Sequence, residues 1–277
     1  MELIPAIDIR SYARMSPAEL RQALLVAPLF VPGQVVLKHW ETDRAVIGGA
    51  VPTRSRLKLP NPRQLAAGYF NERRELGVIN LGGAGSVQVD AKTHRLGHLD
   101  GLYVGRGARQ VVFASANAKQ PARFYLLSFP AHVAYPTTPV AFAKVQGTAL
   151  GEGAQANART IYKFIHPGGG IASCQLVMGV TMLRPGSVWN TCPPHTHLRR
   201  SEVYLYFDLQ PAQVVFHFVG QPQETRHLVV QEGEAVLSPP WSIHSGVGTA
   251  HYGFVWGMGG ENQDFADMDP APLTSLR

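Results

Sequence analysis

Short apolar runs separated by turn residues make up most of the chain from Leu29 onward. Each run is rich in Val, Leu, Ile or aromatic residues, and Gly, Pro, Asn or Asp residues lie between the runs. Short runs at this spacing predict the strands of a β-sandwich or barrel. The predicted strands cover residues 34–40, 77–81, 85–90, 101–104, 110–114, 174–183, 202–209, 213–219, 225–230, 235–237 and 252–258.

One helix is predicted near the N-terminus. Ser16 is a favourable N-cap, Pro17 suits the first helical position, and Glu19 completes a capping box with Ser16. This helix is expected to extend to about Leu25. The predicted fold class is therefore all-β with a few short helices.

The strand pattern stops and restarts in the middle of the chain. Residues 135–139 are rich in Pro and Thr and predict a crossover loop, and residues 151–157 predict a second loop. We therefore expect two β-barrels, one formed by residues 1–145 and the other by residues 146–277.

A faint internal repeat supports this division. Arg73-Arg74-Glu75 and Arg200-Ser201-Glu202 both lead into predicted strands, and the segments Gly105–Gln110 and Pro239–His244 follow them at similar spacing. The alignment places Gln110 where His244 lies. Because no His-x-His sequence precedes Glu75, the first barrel is expected to hold no metal.

Composition indicates a folded core and a small-molecule partner. Hydrophobic residues make up 45% and charged residues 16% of the 277 residues, which argues against disorder. The net charge is +6, with no basic run longer than the pairs Arg73-Arg74 and Arg199-Arg200. Nucleic-acid binding is therefore not expected, whereas attraction of small anionic substrates is compatible with the charge.

The remaining composition signals concern the compartment. Two cysteines, Cys174 and Cys192, are too few for a disulfide framework. The first residues show no signal-peptide pattern, and no run approaches the roughly 18 apolar residues of a membrane span. The cytoplasm is the predicted compartment, without a membrane partner.

One segment and one distant residue predict a metal site. Alternate residues of a strand point to the same face, so His195 and His197 can converge on one point. Glu202 opens the next predicted strand, and His244 follows Gly233 and Pro239 in a later loop. Imidazoles combined with a carboxylate suit a divalent ion such as Zn, Mn, Fe, Co or Ni. The alternative is that these are unrelated surface or core histidines.

The pattern resembles the two motifs of the cupin superfamily. The first motif is His195-x-His197-x4-Glu202 after a glycine, and the second is Gly233-x5-Pro239-x4-His244, in which Trp241 stands where many cupins have Gly. Four longer segments, residues 73–80, 220–227, 241–248 and 256–258, are similar to the 5-keto-4-deoxyuronate isomerase family. That resemblance extends over nearly the whole chain.

The resemblance implies a function in the breakdown of pectin-derived uronates. Enzymes of the 5-keto-4-deoxyuronate isomerase family interconvert 5-dehydro-4-deoxy-D-glucuronate and 3-deoxy-D-glycero-2,5-hexodiulosonate and use a zinc ion. Carried over to this chain, the family's metal ligands fall on His195, His197, Glu202 and His244. The resemblance also implies a double-stranded β-helix (cupin) fold with two barrels, and a homo-oligomer, expected to be a hexamer.

Candidates for the other roles come from residue type alone. Glu224 is a candidate acid or base. Candidates for holding a substrate carboxylate, which Arg binds well in a bidentate manner, are Arg199, Arg200, Arg226 and Lys163. Other residues with a possible role near the site are Cys192 as a fifth ligand and Trp189, Trp241 and Trp256 as walls of a sugar pocket, although each is at least as typical of a protein core.

Several functions remain open at this level. Moving a carbonyl to the adjacent carbon needs a Lewis acid and a proton shuttle, or alternatively a hydride shift. A non-catalytic sugar-acid-binding cupin, an isomerase of a related deoxy-sugar acid and an iron dioxygenase would all use the same ligand set. No Gly-x-Gly-x-x-Gly lies between a strand and a helix, so a nicotinamide cofactor is not implied.

Overall fold

Strands dominate the computed structural model, which describes residues 1–167, 170–261 and 266–277. Two short α-helices lie near the N-terminus, α1 at Ile9–Arg14 and α2 at Pro17–Leu24. The predicted capping box is present, since the Ser16 side chain accepts from the backbone N–H of Glu19 and the Glu19 side chain accepts from that of Ser16. None of the helices in the described ranges is long and apolar enough to span a membrane.

The chain divides into two compact units that are each discontinuous in sequence. The first unit contains Met1–Ile4, Pro28–Val145 and Phe164–Val177, and the second contains Pro5–Ala27, Gln146–Lys163 and Met178–Arg277. A compact unit is not by itself a closed barrel, so the division into barrels 1–145 and 146–277 stays a prediction.

The first unit is built on a seven-stranded and a four-stranded sheet. Their strand orders are β1-β3-β4-β11-β6-β9-β12 and β5-β10-β7-β8. Buried side chains such as Val78, Val87, Phe113 and Phe124 form its core. The strands are β1 Glu2–Ile4, β3 Val35–Trp40, β4 Ala45–Ala50, β5 Leu57–Lys58, β6 Arg74–Asn80, β7 Gly85–Val89, β8 Lys92–Leu96, β9 Gly101–Val104, β10 Val111–Ser115, β11 Phe124–Pro130 and β12 Thr138–Val140.

The second unit has a seven-stranded, a four-stranded and a two-stranded sheet. Their orders are β13-β14-β15-β23-β18-β21-β2, β16-β22-β19-β20 and β17-β24. The strands are β2 Leu25–Val26, β13 Gly147–Leu150, β14 Arg159–Ile165, β15 Val177–Leu183, β16 Trp189–Asn190, β17 His195–Thr196, β18 Arg200–Phe207, β19 Val215–Gln221, β20 Glu224–Val230, β21 Ala235–Ser238, β22 Ser245–Gly248, β23 Gly253–Gly260 and β24 Asp269–Pro270.

The two units share one topology. In the large sheets β6 lies between β11 and β9, just as β18 lies between β23 and β21, and the small sheets match in the same way. Gln110 directly precedes β10 as His244 directly precedes β22, in agreement with the predicted repeat. The predicted alignment matched Glu75 with Glu202, but the structure matches Leu76 with Glu202. Leu76 pairs with the last residue of β9, and Glu202 pairs with the last residue of β21.

Two predicted boundaries were wrong, for identifiable reasons. The strand expected from Cys174 begins at Val177 instead. The backbone N–H groups of Cys174, Gln175 and Leu176 donate to the Glu75 carboxylate at 2.7–2.8 Å, so they are not available to a neighbouring strand. The segment 135–139 is not purely a loop, since it contains the start of β12, which pairs with β9.

Candidate metal centre

Three elements of the second unit position the predicted ligands. His195 lies on β17, which pairs with β24, and His197 follows in the short connection to β18. Glu202 is on β18, where it pairs with Ser238 of β21 on one side and Met258 of β23 on the other. His244 is in the loop that leads into β22.

The four side chains meet at one point. The ligand atoms of His195, His197, Glu202 and His244 all lie within 4.8 Å of one another, and no other group of this kind is found among the described residues. Oε2 of Glu202 is 3.1 Å from Nε2 of both His197 and His244. The Nε2 atoms of His195 and His244 are 3.0 Å apart. The His-x-His and Glu spacing therefore predicted the convergence correctly.

Burial keeps two of these imidazoles neutral. It lowers the pKa of His195 to about 4, although the Glu202 carboxylate raises it and His197 and Arg200 lower it further. It also lowers the pKa of fully buried His244 well below the ordinary range, with further lowering by the neighbouring His195 and His197. Neutral imidazoles present lone pairs, which is the state that a metal ion requires.

The cluster opens into a cavity of about 280 Å³, near the lower end of the roughly 300–1,000 Å³ typical of ligand pockets. Arg200, Glu202 and Tyr204 alternate along β18 and all line it. Trp256, which pairs with Tyr204, and Met258, which pairs with Glu202, line it from β23. Apolar walls around a few polar groups are typical of small-molecule sites.

The position of Trp256 in the cavity wall depends on Gly179. A Cβ on Gly179 of β15 would lie 2.3 Å from Cζ2 of Trp256, closer than any side chain tolerates. Glycine at this position therefore lets the indole lie directly against the strand. Trp256 lines the cavity as one of the three predicted tryptophans, whereas Trp189 stacks on Phe218 and Trp241 packs edge-on against Tyr12.

Tyr204 is a polar group of the cavity that the sequence reasoning missed. Its hydroxyl lies 3.3 Å from Oγ1 of Thr191. Burial and the nearby Glu202 carboxylate raise the pKa of Tyr204 well above its ordinary value, so the phenol keeps its proton. Alternation along the strand was an available signal, since Tyr204 is two residues beyond Glu202 and must share its face.

The candidates for carboxylate binding and for proton transfer differ in their placement relative to the cavity, and Arg200 is the one that belongs to its described lining. Arg200 lines the cavity and is buried, whereas Arg199 is largely exposed and ion-paired with Asp267. Arg226 donates to the carbonyl oxygens of Met15 and Ala13 at 2.6 and 2.8 Å, which ties down the N-terminal segment of the second unit.

Three of these candidates are absent from the described lining of the cavity. Lys163, Glu224 and Arg226 are not among the described residues that line the cavity. Glu224 instead lies 3.8 Å from Arg226, measured from Oε1 to Nη2, on the same strand. Residue type without placement could not distinguish them from Arg200, and their predicted roles in binding or proton transfer stay predictions.

Cys192 and His217 are both close to the cluster without joining it. Cys192 lines the cavity, and burial raises the pKa of its thiol. His217 is buried, and its Nδ1 atom is 2.6 Å from the hydroxyl oxygen of Tyr206. Neither belongs to the described group of converging ligand atoms, so the candidate ligand set remains three histidines and one glutamate.

Known proteins resemble this chain over its whole length. The profile of the KduI/IolB family matches residues 29–271. A "4-deoxy-L-threo-5-hexosulose-uronate ketol-isomerase" of Shouchella clausii is 50% identical over all 277 residues and 100% of both chains. A relative of the same name from Kineococcus radiotolerans is 53% identical over 266 residues, or 95% of each chain.

Solved structures show the same fold at low sequence identity. An IolB-like protein of Salmonella typhimurium superposes with a TM-score of 0.68 and 14% identity, covering 87% of this chain and 94% of the other. A Bacillus subtilis oxalate decarboxylase superposes with a TM-score of 0.57 and 11% identity, covering 81% and 71%. The predicted all-β cupin class is confirmed. This chain is a member of the KduI/IolB family.

Proposed function

We propose that this protein is a metal-dependent ketol-isomerase that interconverts 5-dehydro-4-deoxy-D-glucuronate and 3-deoxy-D-glycero-2,5-hexodiulosonate. The observation that carries the proposal is the cluster of His195, His197, Glu202 and His244, of which the first three line a cavity that also contains a protonated phenol. The names of the relatives, which are about half identical over the full length, support the choice of substrate.

The donor set suits a borderline divalent ion, and zinc is the ion we propose. Three imidazole nitrogens and one carboxylate oxygen are ligands that Zn²⁺ binds in proteins, and Mn, Fe, Co and Ni accept the same set. Neighbouring ligand atoms of the cluster lie 3.0–3.1 Å apart, close enough to share one cation. When bound, the ion would act as a Lewis acid that polarises a carbonyl.

The protein's own groups would orient the substrate and handle its proton. Isomerisation moves one proton between adjacent carbons and one between their oxygens, so no external oxidant or cosubstrate is consumed. The Tyr204 phenol keeps its proton and faces the same cavity as Glu202. It is suited to donate a hydrogen bond to the oxygen on which negative charge develops. Arg200 adds a buried positive charge close to His195.

The apolar walls would exclude water from the reacting carbons. Phe254, Trp256 and Met258 follow one another at alternate positions of β23, and all three line the cavity. Exclusion of water strengthens the electrostatic contacts inside a site. A cytoplasmic location and assembly into a homo-oligomer, expected to be a hexamer, belong to the same proposal.

The test is direct conversion of the substrate. Metal-loaded protein is incubated anaerobically with 5-dehydro-4-deoxy-D-glucuronate, and the position of the carbonyl carbon is followed by NMR. Conversion that stops after chelation and returns on adding zinc supports the proposal. Binding without movement of the carbonyl would instead identify a sugar-acid-binding cupin, and a requirement for oxygen and ferrous iron would identify a dioxygenase. Conversion of a different sugar acid alone would overturn the substrate assignment.

A further inference from the structure

Arg159 is a cation of the cavity to which no motif draws attention. It is the first residue of β14, a strand that the apolar pattern did not predict, and it is half-buried. Its side chain lines the same cavity as His195, Glu202 and Tyr204. Arg159 is therefore a second arginine in the cavity wall, in addition to Arg200.

The guanidinium of Arg159 is only partly satisfied by the protein. Its Nη1 atom donates to the carbonyl oxygen of Asn157 at 2.9 Å. Within the described ranges of the chain, Arg159 forms no ion pair at 4.0 Å or less. Glu202 is the one acidic residue among the described lining of the cavity, and its carboxylate is engaged with His197 and His244.

A half-buried cation without a counter-charge is costly for the fold. Removing a charge from water carries a penalty unless a partner charge or hydrogen bonds replace the solvent. Burial is the main cause that lowers the pKa of Arg159, while the nearby Tyr204, Cys192 and Tyr252 raise it. An arginine nonetheless stays protonated near neutral pH. The cavity therefore keeps a positive charge that an anionic ligand would balance.

Arg200 is less suited than Arg159 to bind an anionic ligand in the cavity. It is 1% exposed, its Nη2 atom lies 3.4 Å from the carbonyl oxygen of Asp267, and its charge lowers the pKa of His195. Arg200 is thus buried close to His195 of the candidate ligand cluster and is already engaged with the protein. Arg159 comes from a different strand and is more accessible.

We propose that Arg159 binds the carboxylate of the substrate and so selects uronates over neutral sugars. This inference rests on the proposed function for the identity of the substrate. The guanidinium can meet a carboxylate with two parallel hydrogen bonds, a geometry that lysine cannot reproduce. With the carboxylate held at Arg159, the sugar's other end is directed toward the histidine and glutamate cluster.

The experiment compares R159M with R184M in the zinc-loaded protein. Arg184 is exposed and does not belong to the described cavity wall, so R184M removes the same charge without touching the site. Binding of D-galacturonate and of D-galactose is measured by calorimetry, and kcat and KM are measured with the keto-uronate. Metal content and thermal unfolding are recorded for each variant.

We expect the loss of Arg159 to weaken binding of the acid galacturonate and not of the neutral sugar galactose. Wild type and R184M should bind galacturonate more tightly than galactose. R159M should lose this preference and raise KM for the keto-uronate about 10- to 100-fold, the factor expected for a lost hydrogen bond between charged groups. Its metal content should be unchanged. If R159M does not fold, R159K replaces it and should show a weaker preference, since it keeps the charge but loses the paired hydrogen bonds.

Failure of this inference can be told apart from failure of the proposed function. Isomerisation with an unchanged KM in R159M would overturn the role of Arg159 and leave the function intact. Preference for galacturonate that depends on Arg159, without isomerisation by wild type, would support the carboxylate site and overturn the function. Equal binding of the acid and the neutral sugar by wild type would overturn the carboxylate site.

Discussion

Nδ1 of His197 lies 3.0 Å from the carbonyl oxygen of Arg200, three residues further along the chain. A carbonyl oxygen only accepts hydrogen bonds, so Nδ1 of His197 must carry the proton. In a neutral ring, the state in which histidine binds a metal, the lone pair is then on Nε2, which lies 3.1 Å from Oε2 of Glu202. The turn that brings Glu202 to the site thus also selects the tautomer that can bind a metal.

Removing a predicted ligand should empty the site. In H195A or H244A, one of four ligands is lost, and bound zinc should fall to a small fraction of the wild-type content. Thermal stability should fall as well, because binding of a metal to the native state stabilises it. Metal content is measured by elemental analysis after gel filtration. H227A is the matched control, since His227 is exposed on β20 and outside the cluster. Full occupancy in both ligand variants would reject the assignment.

The Tyr204 phenol should matter for turnover and not for metal binding. In Y204F we expect kcat to fall about 100-fold, within the range of about 10²–10⁴ that positioned proton donors contribute. Zinc content and the unfolding temperature should change little. Tyr252, a buried tyrosine outside the described cavity lining, provides the control Y252F. An unchanged kcat in Y204F would remove the phenol from the mechanism.

Buried His217 should make the protein less stable in mild acid. Burial lowers its pKa from 6.5 to about 3, so between these values the unfolded chain binds a proton that the folded chain does not. Stability is therefore fully present above pH 6.5 and is lost as the pH falls toward 3. At pH 5 the loss from this group should be about 2 kcal/mol.

The variant H217Q isolates this effect. Glutamine does not titrate and still offers a hydrogen-bond partner to the Tyr206 hydroxyl. Urea unfolding of chelator-treated protein at pH 7 and pH 5 should show a smaller pH dependence in H217Q than in wild type, since the other histidines titrate in both. If the free energy of unfolding changed equally between pH 7 and pH 5 in both proteins, His217 would not titrate as described.

Glu75 should be a major stabilising residue of the first unit. Its buried carboxylate accepts hydrogen bonds at 2.7–2.8 Å from the Tyr103 hydroxyl and from three consecutive backbone N–H groups, those of Cys174, Gln175 and Leu176. E75Q keeps the shape but removes the charge and one acceptor oxygen. We expect it to lose about 2–4 kcal/mol of the free energy of unfolding.

Denaturant titration measures this loss. E152Q serves as the comparison, because Glu152 is exposed and such a substitution should change stability by less than about 0.5 kcal/mol. Equal stabilities of E75Q and E152Q would show that the segment of residues 174–176 does not depend on the carboxylate.

Assembly is the remaining prediction, and it rests on the family resemblance. Leu198, Leu150 and Met268 of the second unit are 69%, 42% and 41% exposed, and apolar side chains of this kind are often covered in an oligomer. Light scattering at micromolar concentration should report a hexamer. A monomer under these conditions would contradict the prediction.

The sequence by itself determined those features that depend on neighbours in the chain. Ser16, Pro17 and Glu19 define the start of α2 because a capping box needs only adjacent residues. The spacing of His195, His197 and Glu202 predicted a candidate ligand cluster because it brings these residues to one end of a strand pair. The pattern of apolar runs predicted the all-β class, His244 was placed with this cluster as a fourth group, and the resemblance to a known family then added the cupin fold.

The tertiary structure alone decided which other polar side chains share the cavity. Arg226 on β20 and Arg159 on β14 are the same residue type, yet Arg226 donates to the carbonyl oxygens of Met15 and Ala13 while Arg159 lines the cavity of the candidate ligands. Glu75 likewise resembled Glu202 in its sequence context, yet it binds backbone N–H groups about 100 residues away. These contacts join residues far apart in the chain, and only the packing of whole strands sets which face each one occupies.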